Sequence, residues 1–197
     1  MNKTFKVLLT AVLLFSATLS TYAQFESNRE TKRFHMGLRA GLSANTWAGD
    51  VGSVDPYYFF TGGLAFDVQV APVPVFIGFG INYLNEGIKK SNYDKACSAI
   101  HFPLVVGYHF NVAPNFFISP YFGGFISYCL EPQKVAQSSS GERLNDGLRF
   151  GVGLNYGRLT FDVAYDLGLK NMGEFKHDDW NTRTLFLTLG VNLVGSR

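Results

Sequence analysis

Hydrophobic residues along this chain recur at every second position. In Arg158–Leu169, RLTFDVAYDLGL, the residues Leu159, Phe161, Val163, Tyr165, Leu167 and Leu169 share one parity. Thr160, Asp162, Ala164, Asp166 and Gly168 share the other. A period of two residues is that of a β-strand, here with one apolar face and one face that carries carboxylates. The pattern predicts eight strands: Phe34–Ser43, Tyr57–Val70, Val75–Asn85, Cys97–Phe110, Phe116–Cys129, Gly147–Tyr156, Arg158–Leu169 and Thr182–Leu193. Long polar connections at Ala44–Pro56, Glu86–Ala96, Leu130–Asp146 and Lys170–Asn181 alternate with short ones at Ala71–Pro74, Asn111–Asn115 and Gly157.

One parity carries Leu38, Leu64, Phe79, Val106, Phe150 and Leu187, none of them charged. The opposite parity collects Arg39, Asp67, His101, His109, Arg149, Asp162 and Asp166, and most of the glycines, with Gly62 and Gly124 the main exceptions. A lipid-facing Arg at mid-depth costs about 2–4 kcal/mol, so this segregation has an energetic cause if the apolar face meets lipid. Glycines on the polar parity suit a narrow, curved wall whose interior has room for few side chains. The expected fold is all-β: an eight-stranded, antiparallel, up-and-down transmembrane β-barrel. Pro103 and Pro120 fall inside strands and predict bulges.

The N-terminus sharpens this picture. Lys3 and Lys6 precede an apolar run from Val7 to Leu14, and Thr21-Tyr22-Ala23 reads as a cleavage site. Residues 1–23 are expected to be a signal peptide, because the apolar core is shorter than the roughly 20 residues of a membrane helix. Residues 24–33 are a polar lead-in, and residues 34–197 form the barrel domain. Later in the chain no apolar run is long enough for a membrane helix, so a membrane form must be a closed barrel. Both barrel termini then lie in the periplasm and the long loops outside the cell. A net charge of +2 gives no argument for a nucleic-acid partner.

Candidate chemistry is sparse. Arg39, Asp67, Arg149, Asp162 and Asp166 are expected to fill the lumen as a network of paired charges, because unpaired buried charge is costly. A tight turn at Gly157 sets Arg149 across from Asp166. The histidines His35, His101, His109 and His177 show no metal-ligand spacing. His101 and His109 lie about 27 Å apart along one strand and cannot share an ion. No cofactor motif is evident. Trp47, Tyr57, Tyr58, Tyr83, Tyr128 and Trp180 are expected at the outer interface, and Tyr108, Phe110, Phe116 and Tyr156 at the inner one. Cys97 and Cys129 are the only cysteines, and a secreted chain meets an oxidising periplasm. Pairing outward from a turn around Ala113 sets them opposite each other, at about 4.5–5.5 Å between Cα atoms, within reach of a disulfide.

Several segments match a known family: MGLRAGLSAN, HFPLVVGYHF, ISPYFGG, DGLRFGVGLNYGRLTFDVAYDLGLKN and NTRTLFLTLGVNL. From about Phe34 to Leu193 the chain resembles the outer-membrane β-barrel proteins of the Bacteroidetes, including PorT-like proteins. The resemblance implies an eight-stranded outer-membrane barrel and little about activity. With no catalytic motif in the sequence, the expected function is a structural, surface-interaction or secretion-accessory role without enzymatic activity. Partners would be outer-membrane lipid, and surface or secretion-system proteins reached through the long loops. Two alternatives stay open. A soluble lipocalin-like carrier would turn its apolar face inward around a ligand. An outer-membrane lipid-modifying enzyme would need a nucleophile with a His and an acid in reach, an arrangement that spacing does not reveal.

Overall fold

The computed structural model describes residues 34–49, 55–70, 73–90, 93–130, 144–170 and 180–194. The segments expected to be signal peptide (residues 1–23) and lead-in (residues 24–33), and His177, lie outside them. Nine strand segments follow in order: β1 (Phe34–Gly49), β2 (Tyr57–Val70), β3 (Val75–Lys90), β4 (Tyr93–Tyr108), β5 (Phe110–Ala113), β6 (Phe116–Cys129), β7 (Leu144–Tyr156), β8 (Leu159–Gly168) and β9 (Trp180–Val194). They form one antiparallel sheet in which β1 pairs with both β2 and β9, and both β4 and β5 pair with β6. β4 and β5 are one stave interrupted at His109, so the closed barrel has eight staves. Phe34 and Val194, the two ends of the barrel, lie at the same rim as the short turns.

The prolines act differently from the expectation of bulges. Between β3 and β4 the pairing jumps from Phe79↔Leu104 to Asn82↔His101 with the register kept. Pro103, which has no N–H to give, drops ladder contacts toward β3 and still faces Phe125 on β6. Pro120 faces Val152 on β7, and in the β4–β6 register it comes opposite Tyr108, beside the interruption at His109. His109 N there donates to Pro74 O at 2.9 Å instead of to the ladder. The register shifts sit elsewhere, at Met36/Gly37 and at Asn111/Ala113.

The turn between β5 and β6 corrects the pairing expected of the cysteines. It is centred on Pro114-Asn115, beyond the expected Ala113, with Asn115 at φ 63°, and this displacement, offset by one residue at the neighbouring bulge, sets Cys129 opposite Ala99. Cys97 lies two residues further along β4. The disulfide Cys97–Cys129 therefore bridges the strands diagonally, with 6.1 Å between Cα atoms.

Strands also run further than their apolar alternation. β1 continues to Gly49, and the loop expected over Glu86–Ala96 is mostly hairpin, leaving residues 91–92 between β3 and β4. Beyond the lipid a ladder needs backbone pairing and no apolar face. Polar residues such as Glu86, Lys89 and Asp94 hide such extensions from a hydrophobic pattern.

Outward positions are apolar and exposed, among them Leu38, Phe60, Leu104, Phe122, Leu187 and Leu189. The charged outward strand residues among the described side chains, Asp146 and Arg183, lie at the end away from the short turns. Tyr58, Tyr83 and Tyr128 are exposed near that same end, and Tyr156 near the turns. Tyr57 departs from the expected girdle: it shares the lumen parity of Thr61 and stacks on Phe59, ring centres 6.1 Å apart. The side chains of Trp47 and Trp180 lie outside the described set.

Adjacent glycines show how tight the inner wall is. A Cβ on inward Gly63 would come within 2.6 Å of Asn82 Cα on the neighbouring strand, whereas on outward Gly62 the nearest atom would be Arg39 O at 3.4 Å. Gly63→Ala is expected to destabilise the barrel by about 1–3 kcal/mol or to block its assembly, and Gly62→Ala to stay within about 0.5 kcal/mol of wild type. Urea midpoints of protein folded into lipid vesicles measure both.

Candidate functional site: the sealed lumen

The inward side chains fall into three levels. At the level further from the short turns, cross-strand pairing sets Arg149 on β7 opposite Asp166 on β8. Arg149 Nη1 donates to Asp166 Oδ1 and Oδ2 at 3.2 Å each, and to His101 Nε2 at 2.9 Å. Its guanidinium carbon lies 4.7 Å from the centre of the Phe186 ring. His101 Nδ1 is 3.1 Å from Ser127 Oγ. This belt is enclosed: His101 and Ser127 are 1% exposed, Asp166 3% and Arg149 7%. Leu84, Ala99, Ala164 and Phe186 pack into an apolar cluster in the same interior.

Ser127, His101 and Asp166 thus come together in the order nucleophile, imidazole, acid, with His101 Nε2 3.2 Å from Asp166 Oδ2. Arg149 decides what that contact can do. A guanidinium has donors and no acceptor, so His101 Nε2 must offer its lone pair. A proton there would point at the guanidinium N–H across 2.9 Å. The shorter contact with Arg149 favours the tautomer with its proton on Nδ1, donating to Ser127 Oγ, over the one in which Nε2 donates to Asp166 Oδ2. A general base needs the reverse, a lone pair facing the hydroxyl.

The middle level holds a cavity of about 110 Å³ bordered by Arg39, Asp67, Asn82, Tyr121 and Asp162, among others. Arg39 Nη1 and Nη2 reach Asn192 Oδ1 at 3.2 Å each, and Nη1 reaches Leu38 O at 3.4 Å. Tyr121 Oη donates to Asp162 Oδ1 and Oδ2 at 2.9 and 3.0 Å. Asp67 is the cross-strand partner of His35. A polar space of this size suits a few waters and is smaller than ordinary ligand pockets of roughly 300–1,000 Å³.

Nearest the short turns, His109 stacks on Phe76 at 4.3 Å and meets Phe117 edge-on at 5.1 Å. His109 Nδ1 lies 2.8 Å from Ser119 Oγ, and the His35 ring stands edge-on at 6.2 Å. Among the described residues no three His, Cys, Asp or Glu side chains converge as metal ligands.

Of the five charges singled out in the sequence, the structure joins Arg149 to Asp166 and distributes the others. Arg39 takes an amide partner and Asp162 a phenol. Tyr121, His101, Ser127 and Asn192 complete these contacts and were not singled out as partners. Their inward parity was the available signal, and side-chain reach across a lumen is not written in spacing.

Against this geometry, the family of outer membrane protein β-barrel domains matches residues 22–174. The chain belongs to that family. Among curated proteins none matches the chain by sequence. Among solved structures, the outer membrane enzyme PagL is similar at 15% identity and TM-score 0.54, over 79% of this chain and 98% of that one. Ail, the attachment invasion locus protein of Yersinia pestis, is similar at 14% identity and TM-score 0.47, over 82% of this chain and 100% of that one. Neisserial surface protein A is similar at 13% identity and TM-score 0.45, over 84% and 100% of the two chains. At these identities the PagL likeness speaks for the fold alone. As an outer-membrane barrel the protein meets lipid with its apolar face, and the soluble-carrier alternative, which needs that face inside, falls away.

In this outer-membrane barrel Arg149→Ala leaves Asp166 enclosed without its cation. A loss on the order of 3–5 kcal/mol is expected. Arg149→Ala combined with Asp166→Ala is expected to cost less than either substitution alone. A double-mutant cycle on urea midpoints in lipid vesicles checks this, and single and double variants that unfold at the wild-type midpoint would contradict the pairing.

Proposed function

We propose that this outer-membrane barrel is a non-enzymatic, PorT-like member of its family, with a structural, surface-interaction or secretion-accessory role. Both barrel termini lie on the periplasmic side, and the connections at the other end meet surface or secretion-system proteins. The observation that carries the reading is the Arg149 belt. It spends the lumen's strongest charges on one another and leaves below it a polar space sized for water.

The one alternative with an observation in its favour is a hydrolase built on Ser127, His101 and Asp166. Two features weigh against it. The Nδ1 proton of His101 points at Ser127 Oγ, so no base faces the nucleophile. The group is also enclosed in the lumen, whereas a lipid substrate lies against the outer wall. PorT-like membership rests on the matching segments, such as HFPLVVGYHF on β4 and β5 and ISPYFGG on β6.

Protein reconstituted in planar bilayers is expected to give no stable single-channel steps, because a small barrel filled by its own side chains leaves no continuous aqueous path. A reproducible conductance would contradict the sealed lumen. A fluorophosphonate probe applied to the folded protein is expected to leave Ser127 unlabelled, and stoichiometric labelling there would favour the hydrolase.

A further inference from the structure

The outer wall carries a groove of about 820 Å³ that no part of the proposed role uses. It runs across the strands between two ridges of outward side chains. One ridge follows the cross-strand partners Phe116, Tyr156, Leu159, Val191, Leu38 and Leu64, from β6 to β2. The other follows Leu154, Phe161, Leu189 and Ala40. The floor is the backbone of the inward residues between them, Thr160, Gly190, Arg39 and Gly63. Two of these are glycines, and Ala40 with neighbouring Gly62 keeps the upper end wide.

The dimensions suit one occupant. Five inter-strand steps of about 4.8 Å give a length of about 24 Å. Strands in such barrels tilt by about 35–45°, so a line across them climbs about 14–17 Å along the membrane normal. That is about half of the roughly 30 Å hydrocarbon core, the depth of a single leaflet. The groove starts beside the turns, at Phe116 and Tyr156, and ends at Leu64, six residues above the end of β2.

Charge marks the starting end. Arg158 is exposed in the β7–β8 turn between Tyr156 and Leu159, and among the described residues no acidic side chain pairs with it. Its backbone O accepts from Asn192 N at 2.7 Å, which ties the turn to β9. A guanidinium at an interface suits a phosphate oxygen. The geometry points to a phospholipid site on the wall: one acyl chain of a lipid from the turn-side leaflet lies in the groove, and its phosphate rests on Arg158.

The test uses the mature chain folded into phosphatidylcholine vesicles doped with phosphatidylglycerol that carries a diazirine in one acyl chain. After irradiation, adducts are mapped by mass spectrometry. They are expected to concentrate on the segments bearing Ala40, Phe161 and Leu189, several-fold above those at Leu104 and Val106 on β4, which also face lipid. Ala40→Trp fills the upper groove and should remove that excess, with Leu104→Trp as a control that leaves it intact. Arg158→Gln should reduce the phosphatidylglycerol excess to the level given by a diazirine diacylglycerol, which has no phosphate. Adducts that simply follow exposure around the barrel, or an excess that survives Ala40→Trp, would overturn the groove. Equal excess from the diacylglycerol and phosphatidylglycerol on the wild-type chain would overturn the phosphate contact.

Discussion

A strand that crosses lipid has two faces, and only one of them can carry charge. In the hydrocarbon every backbone N–H and C=O must also be paired, which forces the sheet to close on itself. Together these constraints send the polar parity of every strand into one narrow lumen. Arg149, Asp166, His101, Asp162, Arg39 and Asp67 meet there because each is excluded from the wall. The interior is then crowded by backbone as well as side chains, and inward glycines such as Gly63 follow from that crowding.

The same constraint shapes the chemistry of the lumen. Buried charge persists where it is matched, and Arg149 is matched three times over, by two oxygens of Asp166 and one nitrogen of His101. The 2.9 Å contact with Arg149 favours the His101 tautomer that donates to Ser127 Oγ, so a fourth residue bears on what the Ser–His–Asp contact can do. Proximity of the right residue types is therefore a poor guide to catalysis when a fourth residue dictates the direction of the protons. Arg39 and Asp162 are held by neutral partners around a polar space, a looser arrangement than the belt.

The fold was legible in the sequence where one face had to be apolar. Alternation in RLTFDVAYDLGL and its counterparts located each stave, and the tight turn at Gly157 aligned Arg149 with Asp166. It was illegible where lipid no longer constrains the chain. Glu86, Lys89 and Asp94 read as loop although the ladder continues through them. The turn lies at Pro114-Asn115 instead of Ala113, and even after the one-residue bulge between Asn111 and Ala113 the cysteines stay diagonal; such a change in a turn leaves no mark on the alternation. The partners Tyr121–Asp162 and Arg39–Asn192 span the lumen between sequence-distant strands, so spacing could not announce them.

The account stands on the assignment of faces, and an arginine scan along β8 probes it most directly. Leu159, Phe161, Val163, Tyr165 and Leu167 are replaced one at a time by Arg, and unfolding free energies are measured in lipid vesicles. A depth profile is predicted, with the largest loss, about 2–4 kcal/mol, near Val163, falling to about 0–1 kcal/mol toward Leu159 and Leu167. A flat profile with small losses throughout would contradict a lipid-facing wall.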